Sequence, residues 1–187
     1  MKLAHASFTM LQSGHCFDLV NPEGSDFSIL DIASSLSKIC RFTGHVHRDR
    51  FYSVAEHSVN VSLLVPPRFA LAGLLHDAAE FILQDIASPL KRLLPDYRAL
   101  EARIERVIFK KFGVDGFLVP HMHPLIKEAD LVMLATERRD LMPLGVGGDE
   151  SPWAMLAGVP LRTEPVIGLE HREARALFIE RYMEVTQ

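Results

Sequence analysis

Apolar residues recur at helical spacing along most of the chain, and nearly every element read from that recurrence is a helix. Ile32, Leu36, Ile39 and Cys40 stand at i, i+4, i+7 and i+8, a stripe that Asp31 can cap and that ends near "RFTGH". In "SVAE", Ser53 and Glu56 have capping-box spacing; they start a helix that runs to about Val65, before Pro66 and Pro67, and place His57 in its first turn. "RFALAGLLHDAAEFILQDI" is apolar nearly all round until His76 and predicts a central buried helix. "DYRALEARIERVIFKKFG" repeats Leu100, Ile104, Val107 and Ile108 on one face, with lysines in its last turn and Gly113 after it. Pro124 opens a further helix at "PLIKEADLVMLATERRDLMP", and "LEHREARALFIERYMEV" gives a terminal one.

The exceptions lie at the two ends of this helical run. "ASFTMLQSGHCFDLVNPEGSDF" holds two short strand-like runs about Ser13-Gly14, a two-residue hairpin signal, followed by a turn cluster. Residues 143–168 carry four prolines and five glycines, which excludes long regular structure, yet they are too apolar for a disordered segment. The expectation is an all-α single domain with a short N-terminal β-hairpin. Its parts are the hairpin and turn (1–30), a helical core (31–142), the Pro/Gly-rich loop (143–168) and the C-terminal helix (169–187).

Composition narrows the function. With 187 residues and 48% apolar content the chain can bury about 70% of its unfolded surface, enough to carry a costly polar site. A net charge of −4 gives no basic field for a nucleic-acid backbone, so a small ligand fits better than a polymeric nucleic acid. No apolar run approaches the roughly 18 residues of a membrane span, and "MKLAHASFTM" lacks a signal peptide's hydrophobic block, so the expected location is the cytoplasm. Cys16 and Cys40 have no paired spacing and are expected to stay reduced and packed.

The chemistry concentrates in "LLHDAAEFILQDIASPLK", where His76, Asp77 and Glu80 stand in or beside an apolar stripe. On a helix of about 100° per residue, Asp77 lies roughly 100° and Glu80 roughly 40° from His76, so the three side chains share one arc. A buried lone carboxylate costs several kcal/mol and two together also repel, so something positive belongs there: an Arg or Lys, shared protons, or a metal ion. A His beside an Asp, with a second His on another helix, favours a first-row divalent ion. His57 sits polar-side-in on a helix built from Val54, Val61 and Leu64, and Asp130 interrupts "IKEADLVML" in the same manner. Together they make four candidate ligands.

The ordered set His57, His76-Asp77, Asp130 resembles the H…HD…D signature of the HD-domain metal-dependent phosphohydrolases. The closer likeness is to bacterial 5'-deoxynucleotidases of the YfbR type and, across nearly the whole chain, to prophage-encoded YfdR-like proteins. It is carried by "ICRFTGH", "FYSVAEHS", "LLHDAAEFILQDIASPLKRLLPDY" and "ADLVMLATERRDL". The resemblance implies an HD-domain helical bundle in which His57, His76, Asp77 and Asp130 ligate one divalent transition metal ion (Mn, Co, Ni, Fe or Zn). It implies that Glu80 is the general acid/base, that Arg41 holds a phosphate, and that Asp85 hydrogen-bonds the sugar hydroxyl. Where the 5'-deoxynucleotidases carry Arg-Trp this chain has Arg41-Phe42, which removes an indole N–H donor from the sugar end of the site.

Two imidazoles and two carboxylates bring a divalent ion to about zero charge and leave roughly two of six positions for a water and a phosphate oxygen. The expected reaction is hydrolysis of nucleoside 5'-monophosphates to nucleoside and phosphate. Two other readings stay open: release of triphosphate from a nucleoside triphosphate, with Lys91, Arg92 and Arg48 as a basic rim, and a metal-bearing nucleotide-binding module without turnover. Lys91 is a further candidate for phosphate, and His45, which the resemblance covers, and His47 for the pocket. His121 and His123 in "PHMHP" have the look of a metal tract but also of exposed loop residues. Glu137, two turns beyond Asp130, either faces the pocket or pairs with Arg138 or Arg139, and Trp153 either stacks on a base or packs on the core. The amphipathic helices and the habits of the family point to a homo-oligomer.

Overall fold

In a computed structural model, which describes residues 7–47, 50–114, 123–148 and 151–187, the chain is mostly helical with one small antiparallel hairpin. The hairpin pairs β1 (Phe8–Met10) with β2 (Cys16–Asp18) in the register Phe8↔Asp18, Thr9↔Phe17, Met10↔Cys16. Its connection is longer than two residues: Leu11 N–H donates to His15 O at 2.8 Å, and Gly14 takes φ 86° inside the turn. β2 turns Phe17 inward against Phe27 and Phe81, which anchors the hairpin on the helices.

Helix α1 (Ile29–Leu36) starts ahead of the residue expected to cap it. Ser28 is the N-cap and Asp31 the N3 partner of a capping box, and Asp31 also accepts the Ser13 N–H at 3.0 Å, tying the hairpin to the helix. The helix ends at Leu36, so Ile39 and Cys40 lie beyond it. Cys40 instead forms a lone antiparallel bridge with Ser53, flanked by Arg41 N–H to Tyr52 O at 2.9 Å and Val54 N–H to Ile39 O at 3.1 Å. That bridge fixes Arg41 beside the start of α2. Both cysteines are free, but Cys16 is exposed rather than packed.

Helix α2 (Val54–Leu64) begins as the sequence predicts, with the Ser53 side chain accepting from Glu56 N–H. Glu56 does not close the capping box; its carboxylate accepts the Leu169 N–H at 2.8 Å and so binds the segment leading to the last helix. The predicted central helix is broken in two, α3 (Ala70–Leu75) and α4 (Glu80–Leu83). Between them the hydrogen bonds run i→i−3, with Ala78 to Leu75 and Glu80 to Asp77 both at 3.0 Å. Three-residue turns bring positions i and i+3 onto one line, so Asp77 and Glu80 share a face.

A short α5 (Ser88–Lys91) leads into α6 (Pro95–Phe112), which Gly113 ends in the left-handed region at φ 70°. Helix α7 (Pro124–Leu141) and the terminal α8 (His171–Val185) complete the set. Residues 143–148 and 151–168 contain only short 3-10 turns, as their prolines and glycines predict. Among the described residues no helix is long and apolar enough to cross a membrane.

Helix α2 is the hub, packed against α3, α7 and α8. Gly73 permits the α2–α3 approach: a Cβ there would stand 3.2 Å from Ser62 Cα. Leu36, Leu74, Leu75, Ile104, Met133 and Phe178 fill the centre, all 0% exposed. One edge of this apolar mass, where α2, the α3–α4 break and α7 meet, is polar.

Candidate metal centre

His57 lies one turn inside α2 and is fully buried. Its Nδ1 is 2.5 Å from Glu137 Oε1, and because that carboxylate is held ionised, the imidazole must be the donor. His76, at the C-cap of α3, donates its Nδ1–H to Gly73 O at 2.8 Å, since a carbonyl can only accept. Both tautomers are thereby fixed. With both Nδ1 atoms engaged, the Nε2 atoms are the ones left to serve as ligands once deprotonated, and they are 3.2 Å apart.

Carboxylate oxygens close in from two more directions. Asp130 Oδ1 stands 3.4 Å from His57 Nε2, while Asp77 Oδ2 is 3.1 Å from His76 Nε2 and 3.6 Å from His57 Nε2. Two donors bound about 2.0–2.1 Å from one ion are separated by roughly 2.8–3.4 Å at octahedral or tetrahedral angles. The spacings of 3.1–3.4 Å fit that range, whereas the 3.6 Å from Asp77 to His57 lies just outside it. His57, His76 and Asp130 could hold a metal ion, with ligand atoms all within 4.8 Å of one another. Lys127, exposed, reaches only the outer oxygen of Asp130, at 2.6 Å.

Glu137 resolves in favour of the pocket rather than of Arg138 or Arg139. It lies two turns beyond Asp130 on the same face of α7 and is 0% exposed. Its Oε1 accepts from Tyr52 O–H at 2.7 Å as well as from His57, and its Oε2 accepts from Arg41 Nε at 3.2 Å and stands 3.1 Å from Nη2. A carboxylate behind a ligating imidazole fixes the ring and raises its basicity. Arg41 Nη1, the remaining arm, points to Asp77 Oδ2 at 3.6 Å. The guanidinium is delivered by a turn in which Phe42 (φ 55°) and Thr43 (φ 50°) are both left-handed, a costly backbone for two non-glycine residues. Phe42 lies under the Arg41 guanidinium and edge-on to Trp153, whose own ring faces Arg138.

Glu80 faces the same region from the start of α4 and is 3% exposed. Its Oε1 accepts from Lys91 Nζ at 3.0 Å; its Oε2 is buried without a hydrogen-bond partner. Burial, then the neighbouring Asp77 and Asp85 charges, raise its pKa well above the ordinary range, against the pull of Lys91. Asp85 is also raised, chiefly by burial, and follows Gln84, which is strained at φ 69°.

The other candidates separate. Lys91 is engaged with Glu80 and, at 2.7 Å, with Glu101, and Arg92 is exposed. Neither His45 nor His47 joins the cluster, and both are exposed. His123 caps α7 through Leu125 N–H and lies on the Phe69 ring, away from the metal cluster. Arg48 and His121 lie outside the described residues. The buried Glu101 and Glu105 of α6 carry no signal in the sequence, because charged residues on an amphipathic helix read as its solvated face.

The charges predict a pH dependence in the ion-free protein. Burial and Arg41 disfavour a proton on His57, but Glu137 and the Asp130 hydrogen bond outweigh them and lift the imidazole to about 9. Burial lifts Glu56 to about 7 and Glu105 to about 8. All three bind protons more tightly folded than unfolded, so their stabilisation is present at low pH and lost as pH rises through 7 to 9. The Tm of metal-free protein is expected to fall between about pH 6 and 9 in thermal melts, and Glu105→Gln to lessen the fall. A Tm rising across that window contradicts these assignments.

Over 185 residues, 97% of each chain, the protein is 48% identical to "Uncharacterized protein YfdR" of Escherichia coli. It is 34% identical over 185 residues to an uncharacterized protein of Rhodobacter capsulatus, covering 91% of each chain. No protein-family model matches the chain.

Proposed function

The chain belongs to the family of the Escherichia coli protein YfdR, and from its own site we propose that it is a divalent-metal-dependent phosphohydrolase of HD-domain type, cleaving nucleoside 5'-monophosphates to nucleoside and phosphate. The observation that carries this reading is the convergence of two imidazole lone pairs and two carboxylate oxygens beside a buried guanidinium and a carboxyl with a vacant oxygen. Asp77 is taken as the fourth ligand with His57, His76 and Asp130. The ion, when bound, supplies a Lewis acid that polarises a phosphoryl oxygen and makes a water more acidic. Manganese, cobalt, nickel, iron and zinc all suit such N/O ligands.

The protein's own groups do the rest. Arg41 offers Nη1 to a phosphoryl oxygen while Glu137 holds its other two nitrogens, so the donor is aimed before substrate arrives. Glu80, its pKa raised by burial and by the Asp77 and Asp85 charges, can give a proton to the departing sugar oxygen or, when ionised, take one from the attacking water. Asp85, which feels the Arg41 and Lys91 charges, is the residue that the HD resemblance suggests for a sugar hydroxyl. Phe42 and Trp153 provide aromatic surface next to Arg41 for the nucleoside.

A phosphate-release assay on mono-, di- and triphosphates with added manganese or cobalt tests the reaction. Free phosphate from a monophosphate is expected; triphosphate released from a triphosphate, or no product at all, overturns it. Glu80→Gln is expected to keep the ion but slow turnover by about a hundredfold or more, the usual worth of a positioned acid/base. Metal analysis beside steady-state rates checks both halves, and a rate equal to the native one removes Glu80 from the role.

A further inference from the structure

Lys91 closes α5 and would be read from sequence as a phosphate-binding cation, yet its ammonium is already committed on two sides. Nζ lies 3.0 Å from Glu80 Oε1 and 2.7 Å from Glu101 Oε1, and both carboxylates are buried, at 3% and 8% exposure. The Lys91 side chain itself is only 20% exposed, and the Tyr97 ring borders Nζ at 5.9 Å. Glu101 comes from α6, an element that contributes nothing to the metal cluster. The bridge therefore ties the Glu80 carboxyl to a separate helix.

An ammonium has three N–H groups and no acceptor. Glu80 Oε1 faces that donor, so it cannot also carry a hydroxyl proton pointing the same way. Any proton that Glu80 holds must sit on Oε2, the oxygen that has no hydrogen-bond partner. Glu137 fixes the His57 tautomer from behind by the same logic with opposite charge.

We propose that Lys91, anchored by Glu101, is a positioning residue rather than a phosphate ligand: it holds Glu80 by one oxygen and so presents the other as the oxygen that exchanges the proton. The inference rests on the phosphohydrolase reading. It adds two residues, one of them on a helix that supplies no metal ligand, to what sets the rate.

The two roles for Lys91 separate in steady-state kinetics. A phosphate ligand acts on ground-state binding and its loss raises KM, whereas a residue acting through the acid/base lowers kcat and leaves KM nearly unchanged. With manganese-loaded protein and the monophosphate that the native enzyme cleaves best, Lys91→Met is expected to lower kcat about tenfold or more with KM within about threefold. Lys91→Arg is expected to restore part of the rate, and Glu101→Gln, which touches no substrate, to shift kcat in the same sense as Lys91→Met. The double variant is expected to lose no more than the larger single, since both act on one oxygen. Native-like melting and one bound ion per chain in each variant separate this from damage to the fold. A KM raised about tenfold at unchanged kcat, or a Glu101→Gln enzyme with native kinetics, overturns the inference while leaving the phosphohydrolase reading intact. A native protein that cleaves no phosphate ester overturns that reading and the inference with it.

Discussion

His76→Ala is expected to leave the protein folded, free of bound metal and without measurable phosphohydrolase activity. Removing one imidazole leaves His57 Nε2 and the Asp77 and Asp130 oxygens around an enlarged, wetter gap, with fewer ligands and an unbalanced negative charge. Such a site binds a divalent ion far more weakly. Metal content measured by mass spectrometry on dialysed protein is expected to drop from about one ion per chain to near zero. Asp77→Ala is expected to do the same, because its Oδ2 stands as close to His76 Nε2 as a shared ligand would. A His76→Ala protein that keeps its ion contradicts the centre itself; an Asp77→Ala protein that keeps it reduces the ligand set to His57, His76 and Asp130.

The second large effect belongs to a residue that never touches the ion in this scheme. Glu137→Ala is expected to lower both stability and metal affinity, because four donors converge on that carboxylate: Arg41 Nε and Nη2, Tyr52 O–H and His57 Nδ1–H. Breaking a buried ion pair by deleting one partner costs about 3–5 kcal/mol, since the other charge is left uncompensated. For a chain of this size that is a fall in Tm of at least about 6 °C. Glu137→Gln keeps the volume and can still accept from His57, but it cannot pair with Arg41. It is expected to weaken metal binding by roughly 10- to 100-fold, the usual effect of removing a carboxylate behind a ligating histidine. Melts and metal titrations on the two variants read these effects separately. Unchanged values in both would mean that Glu137 is merely buried charge.

Sequence and structure agree unevenly, for physical reasons. His57, His76 and Asp130 are visible in the sequence because each interrupts an apolar stripe, and burial of a polar group needs a partner wherever the chain goes. Glu137 is only half visible: its step of two turns from Asp130 shows a shared face, but nothing local tells whether that face meets the pocket or solvent. The break after Leu75 is hidden, because Ala78, Ala79 and Phe81 continue a good helical pattern and the i→i−3 bonds that replace it leave no mark in composition. The start of α1 is ambiguous because Asp31 and Ser28 are both good cap residues, and only the reciprocal bonds show that Ser28 is the cap. Lys91 shows the sequence only its charge, whereas its partner Glu101 is contributed by another helix.

The measurement closest to the central claim is anomalous diffraction from crystals of the protein loaded with manganese or zinc. One anomalous peak per chain is expected, about 2.0–2.2 Å from both His57 Nε2 and His76 Nε2 and within coordinating reach of Asp130. A loaded crystal with no peak between the two imidazoles, or with its only strong peak elsewhere on the chain, contradicts it.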